Sequence, residues 1–344
     1  MKKTTNNNTL SRPHWSQWVG AVCLLSILAG CTNRSAVATK ENPKIVRVAY
    51  VSAPSELVHR GAEEFAERLR KRSDGKLEAR LYPSGQLGDD RELTEGLQLG
   101  SIDIVLTGSA IVGWYTPEYG VIDAPFVWRD YQHVDSVWKG EIGEELRLAM
   151  KKKNGVDLRH LWYRGPRYLT STNQKIHHPD DLEGFKLRVP ELEVYVKSWQ
   201  AFGANTTPIP FTDMFMALKL GVVDGQENPL ATIYGNNLHE VQNYIMETKH
   251  LISFYLFCVG PYFQKRFTQE EQEIINQTAE EATGWHNEEV ESSEKRYRQL
   301  LEEAGVEFVG VDRPAFRKRA VETIPPKFSE TWLPGLYERI LKSD

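Results

Sequence analysis

Arg188 stands near the end of a strand-like run, Phe185-Lys-Leu-Arg-Val-Pro190, and a polar turn, Val223-Asp-Gly-Gln-Glu-Asn-Pro229, follows further along. A guanidinium is always charged, and its planar fork meets a carboxylate through two parallel hydrogen bonds, where a lysine offers a point charge. Arg167, in Gly165-Pro-Arg-Tyr168, supplies a second fork, and Asn228 an amide that both donates and accepts. Gathered around one cavity, these groups would hold a small organic acid. Each also has a plainer reading. Arg188 could pair at the surface with Glu183 or Glu191, Arg167 with a similar partner, and Asn228 could belong to turn chemistry alone. Glu191, after Pro190, is either a helix-start carboxylate favoured by the dipole or an acceptor for ligand hydroxyls or an amine. Phe211 and Trp114 lie between elements, where they wall a pocket or fill core.

Enzyme signatures are scarce. The chain has no GxSxG, P-loop, GxGxxG or HExxH motif and no paired cysteines for zinc. His177-His178 precedes Pro179-Asp-Asp181 and reads as the flank of a helix start rather than as metal ligands. Asp224 and Glu227 could be an acid/base pair, but a Gly-containing turn explains them without catalysis. A binding protein is favoured over a hydrolase, with neither metal nor cofactor expected.

The N-terminus implies export. Lys2, Lys3 and Arg12 precede an apolar run from Trp18 to Ala29, interrupted at Gly20 and Ser26 and ending in Leu28-Ala-Gly-Cys31. Such a run is a secretory signal, too short to span a membrane. Cys directly after Leu-Ala-Gly resembles a bacterial lipobox, with residues 1–30 removed and Cys31 lipidated; the alternative is ordinary cleavage near Ala36 to Ala38. Loss of residues 1–30 takes away three basic residues and no acidic ones, moving the net charge from −5 to −8. An acidic chain argues against nucleic acid as a partner without excluding a local basic pocket. Cys258 is then the lone remaining unmodified thiol, inside Leu256-Phe-Cys-Val259, and reads as a small core residue.

Residues 31–43 read as a tether. Strand and helix patterns then alternate: strands at Lys44–Ser52, Lys76–Tyr82, Ser101–Leu106 and Asp157–Tyr163, with helices at Glu56–Arg72, from Asp89-Asp90 to Gly100, and Val134–Lys153. This is an α/β order with parallel pairing expected. A second unit starts near Gly165, with a strand at Lys186–Val189, helices at Glu191–Phe202 and Thr212–Leu220, and an apolar strand at Leu251–Val259. Thr268 to Ala304 reads as one helix, opened by the capping box Thr268-Gln-Glu-Glu271 and closed by Gly305. At 1.5 Å per residue it exceeds one small domain, so it should brace two.

The stretch from Phe185 to Pro229 closely resembles the substrate-binding proteins of tripartite ATP-independent periplasmic (TRAP) transporters, of the DctP type. Tyr82-Pro-Ser-Gly-Gln-Leu-Gly-Asp-Asp90, Gly100-Ser-Ile-Asp103, Ala124-Pro-Phe126 and Glu240-Val-Gln242 extend the resemblance over nearly the whole mature chain. It implies a two-domain periplasmic-binding-protein fold of the type II-like flytrap kind, with a long helix across both domains. The division would be residues 44–164 with about 254–290, and 165–253 with about 291–344, with the ligand cleft between. It implies a monomeric receptor that delivers its solute to TRAP membrane permease subunits driven by an ion gradient. Arg188 looks like the family's arginine that pairs with the ligand carboxylate, Arg167 like the second arginine, and Asn228 like the completing amide. The sialic-acid branch carries Asn and Glu contacts where this chain has Val51 and Gly108, and Asn where it has Glu191. A second carboxylate in the pocket would oppose a compact dicarboxylate and suit a hydroxyl-rich monoacid. The expected ligand is therefore a sugar acid such as a hexuronate or aldonate, with Glu56 and Trp114 contributing from the opposite domain. A 2-oxo or hydroxy acid, or a C4-dicarboxylate, is the alternative.

Overall fold

The computed structural model describes residues 38–343. The expected signal, the expected lipidation site Cys31 and most of the expected tether lie outside the described residues. Ten strands are β1 (Lys44–Ala49), β2 (Leu77–Tyr82), β3 (Ile104–Gly108), β4 (Asp157–Ser171), β5 (Lys186–Val189), β6 (Asn205–Pro208), β7 (Glu227–Pro229), β8 (Tyr244–Met246), β9 (Ile252–Val259) and β10 (Glu307–Val309). Eight form one sheet in the order β10-β8-β4-β9-β3-β1-β2, with β7 also on β4, while β5 and β6 pair by themselves.

The pairing corrects the expectation of a parallel sheet. The outer pairs β1–β2, β1–β3 and β8–β10 are parallel, whereas β9 is antiparallel to both β3 and β4, and β4 to β7 and β8. The chain crosses the molecule outward along the fifteen-residue β4 and returns along β9, so the two long strands necessarily run in opposite directions. The boundary expected near Gly165 falls inside β4. β4 continues through Gly165 and Pro166 to Ser171, with register shifts at Leu158/His160 and Tyr163/Gly165. The helix expected over Val134–Lys153 is two helices, Tyr131–Lys139 and Glu141–Asn154. Gly143 sits against the end of the first, where a Cβ would come within 2.0 Å of the Trp138 carbonyl oxygen.

The long helix runs Gln269–Glu303 and carries the expected capping box between Thr268 and Glu271. Its sparse apolar spacing follows from serving two cores in succession. Ile275, Ala279 and Ala282 pack with β1, β3 and the helix Leu57–Arg72, whereas Val290, Tyr297 and Leu301 pack with Ile233, Leu238 and Ile245. Cys258 is fully buried with its thiol pushed up by desolvation, as a core residue should be. Among the described residues, no helix is long and apolar enough to cross a membrane.

Candidate functional site

A cleft of about 700 Å³, including its open mouth, is lined by Arg164, Arg167, Arg188, Asn228, Tyr195 and Phe211, with Asp90, Ser109, Trp114, Glu191 and Tyr255 among the other walls. That size suits a small molecule. β5 delivers Arg188, β4 delivers Arg164 and Arg167, and β7 delivers Asn228.

Arg188 is only 2% exposed. Its Nε donates to the Ile209 carbonyl at 2.9 Å, and among the described residues no carboxylate lies within ion-pair distance of its guanidinium. The surface pairing with Glu183 or Glu191 is therefore ruled out. Burial pulls Arg188 down to about 10, with Arg167 adding to the fall and Glu227 and Asp90 opposing it. The cation is kept, but at an energetic cost that an incoming anion relieves.

Arg167 is held differently. Nε and Nη2 grip the Glu227 carboxylate at 2.5 and 2.7 Å, and Nη2 also donates to the Glu227 carbonyl at 2.7 Å. Burial by itself would raise the Glu227 carboxyl, yet Arg167 and a 3.0 Å contact with His250 bring it down to about 2. Arg167 thus has its fork occupied, and Nη1 points to Ser253 Oγ at 3.3 Å. Glu227 is a buried counter-ion, while Asp224 lies at the surface with Lys186. The two carboxylates have different partners, which removes the imagined acid/base pair.

Arg164 was missed in the sequence because strand alternation puts positions three apart on opposite faces. The β-bulge at Gly165, whose φ is +97°, shifts that alternation by one residue. Both guanidiniums consequently reach Ser253 Oγ, and Arg164 also donates to Thr232 Oγ1 at 2.8 Å and lies over the Tyr255 ring. Asp90, the first residue of the helix Asp90–Leu99, was passed over as a local helix-start feature. It lines the cleft and accepts from Thr107 Oγ1 at 2.7 Å; burial raises its carboxyl, opposed by that bond and by the Arg164 and Arg188 charges.

Asn228 is oriented by a buried polar chain. Its amide donates to Gln226 Oε1 at 2.6 Å, Gln226 donates to Thr170 Oγ1 at 3.0 Å, and Thr170 donates to Gln242 Oε1 at 2.6 Å. Gln242, noted in the sequence only as part of a motif, anchors this chain. Trp114 is among the residues lining the cleft, with Nε1 donating to the Glu191 carbonyl at 3.0 Å and Arg91 over its ring. Glu191 also lines the cleft but is exposed, and it precedes, rather than opens, the helix Glu193–Phe202. Glu56 does not line the cleft at all. Buried at the start of the helix Leu57–Arg72, it accepts from Ala53 N and from Thr232 Oγ1, bracing that helix against Leu230–Gly235. Among the described residues, no group of three His, Cys, Asp or Glu could hold a metal.

Residues 48–331 match the bacterial extracellular solute-binding proteins of family 7, DctP. A solute-binding protein of Roseobacter denitrificans is 35% identical over 272 residues, covering 79% of this chain and 83% of its own. Among similar solved structures, a TRAP periplasmic solute-binding protein from Roseobacter denitrificans with bound L-galactonate has a TM-score of 0.80 at 30% identity, covering 87% of this chain and 98% of its own. The sugar acid binding protein of Advenella mimigardefordensis, in complex with galactonate, gives 0.84 at 29% identity, with 88% and 97% covered. A TRAP protein from Sulfurospirillum deleyianum with bound succinate gives 0.83 at 29%, with 87% and 99% covered. Fold and cleft define a solute receptor of the periplasmic-binding type. The chain belongs to the DctP family of TRAP transporter solute-binding proteins and is an extracytoplasmic receptor, not an enzyme.

Proposed function

We propose that this protein captures a hydroxyl-rich monocarboxylic acid, most simply an aldonate or hexuronate, and hands it to TRAP permease subunits. The observation that carries the reading is the buried Arg188 guanidinium, which faces the cleft without a carboxylate partner among the described residues. Arg167, fixed by Glu227, sets the field beside it, and Asn228 completes the polar wall. The cleft is locally basic: Arg164, Arg167 and Arg188 all line it, and among the described residues only Arg167 has a carboxylate, Glu227, within ion-pair distance. Asp90 takes over the part first given to Glu191, accepting ligand O–H groups and opposing a second ligand carboxylate. Phe211 and Trp114 supply apolar walls. Galactonate in two of the similar structures agrees with this choice, and succinate in the third keeps the C4-dicarboxylate as the alternative.

Residues 44–164 with about 254–290, and 165–253 with about 291–344, act as two lobes closing on the acid by a hinge along β4 and β9. A thermal-shift screen of residues 32–344 against aldonates, hexuronates, 2-oxo acids and C4-dicarboxylates tests the assignment. A ligand at one hundred times its dissociation constant adds about 2.7 kcal/mol to stability, a shift of several degrees. The expected result is a selective shift with aldonates or hexuronates, and small-angle scattering of the same samples should show a single chain that contracts. A shift with succinate alone would replace the sugar acid by a dicarboxylate, and no shift with any acid would overturn the receptor site.

The protein is also proposed to be anchored through a lipidated Cys31, supported by the Leu28-Ala-Gly-Cys31 sequence. Cys31→Ser should move it from the membrane fraction to the soluble fraction; persistence in the membrane would refute the anchor.

A further inference from the structure

Behind the cleft wall lies a buried carboxylate that the acid-binding groups do not use. Asp123 ends the short helical segment Pro117–Asp123 and is 2% exposed. Its Oδ1 accepts from Ser109 Oγ and lies 3.4 Å from the Tyr195 hydroxyl, while Oδ2 is buried without a partner. Ser109 precedes the helix Ala110–Tyr115, Tyr195 belongs to Glu193–Phe202, and both line the cleft. One carboxylate therefore holds hydroxyls from two separate walls.

A hydroxyl has one proton and two lone pairs. When Ser109 and Tyr195 turn their protons toward Asp123, only lone pairs remain to face the cleft. A ligand hydroxyl can donate to such an oxygen, whereas a ligand carbonyl brings only more lone pairs. We infer that Asp123 is a positioning residue that fixes Ser109 and Tyr195 as hydrogen-bond acceptors, and thereby selects hydroxy acids over the corresponding oxo acids. The inference rests on the acid-receptor reading and supplies its hydroxyl specificity.

The arrangement works while Asp123 is ionised. Burial raises its carboxyl to about 6, offset in part by the Ser109 bond, Arg167 on β4 and Tyr195, and assisted by Glu227 on β7. Glu227 stays ionised down to about 2, and burial lowers its neighbour His250 from the ordinary imidazole range. Preference for hydroxy acids is thus greatest about one pH unit or more above the Asp123 value, half lost near it, and lost further as Asp123 takes up a proton below it. Asp90, also raised and in the same cleft, is separated from this effect by comparison with Asp123→Asn.

The test measures dissociation constants for galactonate and its 2-oxo counterpart from pH 5 to 8, in the wild type, Asp123→Asn and Ser109→Ala. The wild type should prefer galactonate about tenfold at pH 7.5, the worth of one well-made hydrogen bond to an ionised partner's network, and lose that preference toward pH 5. In Ser109→Ala the ratio should fall toward one, and in Asp123→Asn, whose neutral amide oxygen holds the hydroxyls more weakly, it should be smaller than in the wild type at pH 7.5 and no longer vary with pH. Ser109→Ala keeps the test decisive if Asp123→Asn fails to fold. A wild-type ratio retained by either variant, or independent of pH in the wild type, would overturn the proposal. Failure of the wild type to bind either acid is a different result, which overturns the receptor reading and this inference with it.

Discussion

Arg188→Ala should lose acid binding by roughly thirtyfold to several thousandfold, while the protein folds as before. The lower figure corresponds to about 2 kcal/mol and the upper to about 5, the range for removing one partner of a desolvated charge pair. The fold survives because this guanidinium makes one protein hydrogen bond among the described residues, to the Ile209 carbonyl. An unpaired buried charge is a burden on the ligand-free protein. The variant's melting temperature without ligand should therefore equal or exceed that of the wild type, and the shift produced by the acid should vanish. Arg188→Lys should recover little, since a buried ammonium lacks the fork and gives up its proton more readily. Calorimetric titration of both variants checks this, and near-wild-type affinity in Arg188→Ala would contradict it.

Glu227→Gln should have the opposite signature, with a large loss of stability. Glu227 is fully buried and neutralises Arg167 while touching His250. Removing its charge leaves Arg167 uncompensated, at a cost of about 3 to 5 kcal/mol, or about 10 °C in melting temperature. The pH dependence has a definite sign. Because the carboxyl is lowered from 4.5 to about 2, its contribution is complete above pH 4.5 and disappears as pH falls toward 2. Wild-type stability should accordingly decline through that window more steeply than that of Glu227→Gln. A loss below about 1 kcal/mol, the size of an ordinary surface substitution, would show that the pair is not a structural anchor.

These two arginines also show where sequence reasoning reaches and where it stops. Arg188 was legible in part from its place near a strand end, and Asn228 mainly from the resemblance of its motif to the family's; both line the cleft. The long helix was legible because its capping box and its length are local properties. Arg164 was not, since its orientation depends on a bulge that exists only once β4 pairs with β9. Glu227 looked like a turn residue because its partners, Arg167 and His250, are distant in sequence. Glu56 failed for a related reason. Its position at a helix start was read correctly, but the helix Leu230–Gly235 that packs against it takes the carboxylate away from the ligand. Asp90 shows the converse, a residue whose local explanation was sufficient and therefore hid its place on the cleft wall.

The claim that a carboxylate docks on Arg188 is tested most directly by determining the crystal structure with galactonate bound and locating the carboxylate. The prediction is a pair of hydrogen bonds donated by the Arg188 guanidinium to the acid's carboxylate, each about 2.7 to 2.9 Å, with Arg167 still paired to Glu227 and ligand hydroxyls facing Asp90, Ser109 and Tyr195. A carboxylate bound elsewhere in the cleft, with Arg188 untouched, would contradict the account.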